Sequence, residues 1–173
     1  MARSFIGVGS NIDPKSNIRE ALIRLAERVE IRALSTFYRS QPVGPPGQPS
    51  FVNGVVAADT DLPPLAVKRD VLRQVEAELG RVRTTDKYAP RLIDLDLLIY
   101  DDMVVAEAGL VLPDREIVSR PFLAVPLGEL APELELPGDG RTMRELAQGF
   151  AGHTMTPLAD YTQGLKERVC REP

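Results

Sequence analysis

The sequence predicts an α+β fold, and three observations lead there. Four segments read as β-strands, from Ser4 to Gly9, Glu30 to Arg39, Phe51 to Ala58 and Arg91 to Tyr100. Two stretches between them carry apolar residues at helical spacing. The order is β-α-β-β-α-β, the split-βαβ or ferredoxin-like arrangement, which implies an antiparallel sheet with both helices on one face. A C-terminal helical extension is expected beyond it.

Ser4 to Gly9 is a short strand whose glycines suit close passage of backbone. Gly9-Ser10-Asn11 and Asp13-Pro14 mark a turn. Ile18, Ala21, Leu22, Leu25, Ala26 and Val29 then form the apolar face of a helix that Ser16 or Asn17 can cap. Glu30 to Arg39 is a strand of mixed polarity. Ser40 to Ser50 holds four prolines and two glycines and cannot be regular structure. Phe51 to Ala58 is the third strand. Pro63-Pro64 opens a second helix, with Val67, Val71, Leu72, Val75 and Leu79 inward and Gly80 as its stop. Beyond Tyr100 come short apolar runs around Val104 and Leu110, then helical segments from Pro121 to Leu130 and Thr142 to Phe150. Residues 1–155 are read as one domain. Residues 156–173 are a tail with few anchors: a docking helix, a fusion remnant or disordered chain.

The 173 residues have 43% hydrophobic content, enough for a core. A net charge of −4 and a pI near 5.1 argue against non-specific nucleic-acid binding. The lone Cys170 and lone His153 leave no internal disulfide, no cysteine cluster and no His-based zinc site or triad. His153 reads as a loop surface residue. No apolar run approaches the roughly 18 residues of a membrane span, so a soluble, cytoplasmic protein is expected. A monomer is expected too, though no motif speaks to it.

Chemistry concentrates in Arg91-Leu92-Ile93-Asp94-Leu95-Asp96-Leu97-Leu98-Ile99-Tyr100. Period two puts Ile93, Leu95, Leu97 and Ile99 on one face, and Asp94 and Asp96 side by side on the other. Two adjacent carboxylates repel, and a divalent cation removes the repulsion. Hard oxygen pairs suit Mg²⁺ when phosphate and water complete its shell. Asp-x-Asp alone fits a solvated strand face better than a metal site. The loop just upstream adds Arg81, Arg83, Lys87 and Arg91, cations that bind phosphate oxygens. A cationic loop entering a di-carboxylate strand is the equipment of metal-assisted phosphoryl transfer.

Other segments add weaker signals. Gly7-Val8-Gly9-Ser10-Asn11 lies between strand and helix but lacks the ending of a P-loop, and a tight turn explains it as well. The Ser40–Ser50 loop is long enough to act as a lid. Phe51 and Asn53 share a strand face, where an aromatic beside an amide suits a flat heterocycle. Ordinary core packing and a satisfied sheet amide explain them too.

Several segments together resemble the 6-hydroxymethyl-7,8-dihydropterin pyrophosphokinase family. They are Gly7 to Asn11, Phe37 to Pro42, Gln48 to Asn53, Gly80-Arg81-Val82-Arg83, Tyr88 to Asp96, Arg120-Pro121-Phe122 and Pro126 to Pro132. The resemblance spans roughly residues 4–137 and agrees with the ferredoxin-like order. It implies transfer of pyrophosphate from ATP to the hydroxymethyl group of a reduced pterin, leaving AMP. It implies two Mg²⁺ ions on Asp94 and Asp96, and catalytic roles for both with Arg81 and Arg91. ATP would meet Glu76, Arg83, Lys87, Tyr88, Arg91, Leu97, Arg115 and Arg120. The pterin would meet Ser40, Pro42, Val43, Asn53 and Asp94, with its ring between Phe51 and Phe122. Two departures stand out. Asp114 occupies a position where many members have His, leaving Arg115 as the substitute cation, and Tyr88 stands where Trp is common.

Two other classes share the strand order. An RNA-binding domain would need the aromatic-rich pattern that this sheet lacks. A small-molecule regulatory domain would leave the cationic loop and Asp-x-Asp without a purpose.

Overall fold

The computed structural model describes residues 1–41 and 44–170. β1 (Ala2–Ser10) is an inner strand of the sheet and pairs antiparallel with β4 (Phe51–Thr60) on one side and β5 (Asp94–Tyr100) on the other. The outer edge of β4 is shared. β2 (Glu30–Leu34) pairs with its distal half, and β3 (Tyr38–Ser40) pairs with Asn53, Val52 and Phe51. The single strand expected from Glu30 to Arg39 is thus two, broken between Leu34 and Tyr38. Ser35 N still donates to Val55 O at 2.9 Å, and it is the Ser35 hydroxyl that accepts from Val55 N at 2.8 Å.

α1 (Pro14–Ala26) starts earlier than expected. Its cap position is Asp13, in a left-handed conformation and without a side-chain cap bond, while Ser16 and Asn17 sit inside the first turn. α2 runs through the contiguous segments Pro64–Ala66, Val67–Leu72 and Arg73–Glu78, the middle one π-helical. Gly80 ends it at φ 89°, a left-handed conformation that glycine adopts without strain.

α1 and α2 cover one face of the sheet, as the split βαβ order requires. Ile18, Leu22, Leu25, Val71, Leu72 and Val75 pack there against Ile6, Val8, Val56, Leu95 and Leu97. After β5 come the hairpin β6 (Val105–Glu107) and β7 (Leu110–Leu112), a 3₁₀ turn (Arg115–Val118), α3 (Pro121–Leu130) and α4 (Met143–Gln148). Thr142 and Glu145 form a capping box at the start of α4. α3 and α4 lie on the opposite face, where Leu123, Leu127, Met143 and Leu146 meet Phe5, Val55, Ala57, Leu98 and Ile99.

Ile99 is a correction. A bulge between Phe5 and Ile6 shifts the β1–β5 register, so Ile99 joins Leu98 on the α3 face instead of following Leu97. The tail has anchors that its sequence does not advertise. β8 (Thr156–Pro157) pairs with β3, and α5 (Ala159–Val169) buries Thr162, Leu165 and Val169 beside α1 and β2. Among the described residues no helix is long and apolar enough to cross a membrane.

Candidate active site

The α3 face of the sheet is only half covered. Along β4 it changes from Ala57 and Val55 to Asn53 and Phe51. Along β1 it changes from Phe5 to Gly7 and Gly9, and along β5 from Ile99 and Leu98 to Asp96 and Asp94. The apolar half lies under α3 and α4. The other half floors a cavity of about 290 Å³.

Register explains the floor. Gly7 is paired with Val55 and Asp96, and Gly9 with Asn53 and Asp94. Two residues without side chains therefore separate the amide of β4 from the carboxylates of β5. Ser40, Phe51, Asn53, Lys87, Tyr88, Arg91, Asp94, Asp96, Arg120 and Phe122, all proposed from sequence, line this cavity. Arg81, Arg83, Lys87 and Arg91 line an adjoining groove. The sequence-derived aromatic, amide, carboxylate and cation groups thus converge.

Three expected residues stand elsewhere. Leu97 points to the α1/α2 core and is 7% exposed, because period two sets it opposite Asp96. Arg115 is exposed on its 3₁₀ turn and lines neither hollow. Glu76 is buried beneath the site and bonds to its cations. It accepts from Arg81 at 2.9 Å, Arg83 at 2.9 Å, Arg73 at 3.3 Å and the Leu95 backbone N–H at 2.9 Å. Burial still holds its carboxyl above the ordinary range, against the pull of that N–H and of Arg81. Pro42 and Val43 lie outside the described residues.

Asp94 is fully engaged. Arg91 Nη1 donates to Oδ2 at 2.6 Å and Arg81 Nη1 donates to Oδ1 at 2.8 Å. Asp96, beside it, has no hydrogen-bond donor among the described residues. Burial, then the charge of Asp94, pushes its carboxyl up to about 7. A carboxylate lacking counter-charge next to a second one fits a divalent cation. No cluster of three metal-ligating side chains occurs among the described residues. Such a cation would therefore take most of its shell from substrate oxygens and water, as Mg²⁺ does.

Several residues that line the cavity had been given no role in it by the sequence. Asp114 lines the cavity through its link to β5, where its N–H donates to Leu98 O at 2.8 Å. Burial raises its carboxyl as well. Gln48 also lines the cavity and donates from Nε2 to the Tyr88 carbonyl, joining the two loops over the site. Gly7 and Gly9 were read for close backbone passage and a tight turn, but glycines two apart in a strand also leave one face bare. His153 is half-buried with its ring edge-on to Tyr38 at 5.9 Å, rather than a free surface residue.

A profile of the family described as 7,8-dihydro-6-hydroxymethylpterin-pyrophosphokinase matches residues 5–132. The chain is 42% identical over 147 residues to the 2-amino-4-hydroxy-6-hydroxymethyldihydropteridine pyrophosphokinase of Pseudomonas aeruginosa, covering 83% of this chain and 89% of that one. It is 35% identical over 161 residues to the protein of the same name from Haemophilus influenzae, covering 91% and 99%. The crystallised HPPK-DHPS protein of Plasmodium falciparum superposes with a TM-score of 0.71 at 13% identity, a likeness of fold. That match covers 87% of this chain, which spans 46% of the Plasmodium one. The profile match and the bacterial relatives show that this chain belongs to the 7,8-dihydro-6-hydroxymethylpterin-pyrophosphokinase family.

Proposed function

We propose that this chain transfers pyrophosphate from ATP to the hydroxymethyl group of 6-hydroxymethyl-7,8-dihydropterin, in folate biosynthesis. The products are the pterin diphosphate and AMP. One observation carries the reading: a single bare stretch of sheet joins an aromatic and amide end, Phe51, Asn53 and Phe122, to a carboxylate end, Asp94 and Asp96.

The flat pterin ring stacks between Phe51 and Phe122, and the Asn53 amide reads its donor and acceptor edge. The hydroxymethyl group then extends over the glycine floor toward Asp96. Its oxygen gives up its proton to solvent and forms a bond to the β-phosphorus. The bond from that phosphorus to the oxygen bridging to the α-phosphate breaks, and the electron pair leaves on AMP. Arg81, Arg83, Lys87 and Arg91 hold the triphosphate and balance its charge. Mg²⁺ ions, two in this reading, would be held by Asp94 and Asp96 and would lower the hydroxyl's pKa and neutralise the leaving group. The loops joined by Gln48 and Tyr88 keep out water, which would otherwise take the hydroxyl's place. Working on two small diffusible substrates, the protein acts as a cytoplasmic monomer.

The deciding measurement is AMP release from ATP. It should require 6-hydroxymethyl-7,8-dihydropterin and stop when Mg²⁺ is chelated. AMP formed at the same rate without the pterin, or none formed with it, overturns the reading.

A further inference from the structure

Asp94 carries a guanidinium on each oxygen, Arg81 on Oδ1 at 2.8 Å and Arg91 on Oδ2 at 2.6 Å. A cation entering beside Asp96 therefore meets two positive groups already seated on its second ligand. Like charges at such distances repel strongly in a partly dry site. One of the two must leave before Asp94 can take a metal.

The two arginines differ in freedom. Arg81 Nη1 also donates to Glu76 Oε1 at 2.9 Å and to the Ile93 carbonyl at 3.0 Å, and its side chain is 10% exposed. Removing it would take from the buried Glu76 carboxylate one of its three guanidinium partners. Among the described residues the Arg91 side chain has one further partner, the Lys87 carbonyl at 2.9 Å, and it is 31% exposed. Its backbone, in contrast, is clamped. Arg91 N donates to Asn11 Oδ1 at 2.7 Å, and Asn11 N donates to Arg91 O at 3.2 Å. Arg91 can change partner by side-chain rotation while its backbone stays in place.

We infer that Arg91 is the resident counter-cation of Asp94 in the empty enzyme and must rotate off it before a divalent cation binds. Triphosphate oxygens in the adjoining groove supply the alternative partner, since Arg91 borders both hollows. Nucleotide thus opens Asp94 to the metal, and metal without nucleotide binds poorly. The inference rests on the reading of Asp94 and Asp96 as metal ligands.

The test is Mn²⁺ binding to the whole protein, followed by electron paramagnetic resonance without nucleotide. Arg91→Gln should bind Mn²⁺ about ten-fold more tightly than wild type, the scale of one charge-assisted hydrogen bond. With a non-hydrolysable ATP analogue the advantage should vanish. Lys87→Gln removes an equal charge from the same loop and should leave Mn²⁺ affinity within about two-fold. Equal affinity in Arg91→Gln and wild type overturns the gate. A gain as large in Lys87→Gln does so too, because general charge would then explain it. Asp96→Asn separates the two ideas. If Mn²⁺ binding with the analogue is unaffected by Asp96→Asn, the metal reading itself falls, and the gate with it.

Discussion

Gly9 of β1 and Asn53 of β4 lie so close that a Cβ built on Gly9 would overlap Oδ1 of the Asn53 amide. A Cβ on Gly7, two residues earlier, would stand 3.4 Å from the Leu98 methyls, an ordinary contact. The two floor glycines are therefore not equivalent. Gly9→Ala should push the Asn53 amide out of place and raise the pterin KM at least ten-fold. Gly7→Ala should change it less than about three-fold. Equal effects from the two substitutions would show that the amide is not what Gly9 protects.

Phe122 lines the cavity from the first turn of α3, across from the strand that carries Phe51. Removing one side of an aromatic sandwich costs about 0.5–1.5 kcal/mol beyond buried area. Phe122→Ala should therefore raise the pterin Kd roughly ten-fold and leave the Kd of a non-hydrolysable ATP analogue nearly unchanged. Isothermal titration with each ligand separates the two. A larger effect on the nucleotide would place Phe122 at the wrong end of the cavity.

Asp96 gives the metal-free protein a definite pH dependence. Its carboxyl is raised to about 7, first by burial and then by Asp94. An unfolded aspartate titrates near 3.9. Between these values the folded chain keeps a proton that the unfolded chain releases, so stability falls as pH rises from about 4 to about 7. Asp96→Asn removes that loss. At pH 8 the variant should be more stable than wild type by up to about 4 kcal/mol, and near pH 4 the two should converge. Denaturant melts in chelator at both pH values measure the difference. A variant no more stable at pH 8 than at pH 4, relative to wild type, would show that Asp96 is not held protonated.

Local signals carried much of this site. The Asp94/Asp96 face and the Phe51/Asn53 face follow from strand alternation, which the chain encodes within a few residues. What was illegible depends on pairing partners far away in sequence. The bulge that turns Ile99 is set by β1, not by β5's own residues. Asp114 reaches the cavity through a bond to Leu98, and Asn11 clamps Arg91 across 80 positions. Leu97 shows the reverse case. Its own strand pattern placed its side chain opposite the carboxylates, and the structure puts that side chain in the α1/α2 core. β8 is two residues long and includes Pro157, so only its bond to β3 makes it a strand.

The docked tail separates stability from substrate binding. Leu165 is 2% exposed against the α1 core, whereas Thr162 does something more local. Thr162 Oγ1 accepts from Phe37 N at 2.9 Å and donates to the Leu158 carbonyl at 2.9 Å, and Leu158 N donates to Phe37 O at 2.8 Å. Phe37 immediately precedes β3, the strand that carries Ser40 into the cavity. Leu165→Ala removes buried volume and should cost about 2–5 kcal/mol, lowering Tm by roughly 5–15 °C. Its KM for pterin below the melting range should match wild type, because no bond to β3 is lost. Thr162→Ala leaves the buried Phe37 N–H without its acceptor, at about 1–3 kcal/mol. It should therefore lower Tm less and raise the pterin KM more. Melting curves and pterin KM for the two variants test the contrast. The opposite ranking would mean that α5 supports the site through bulk packing, not through the Phe37 bond.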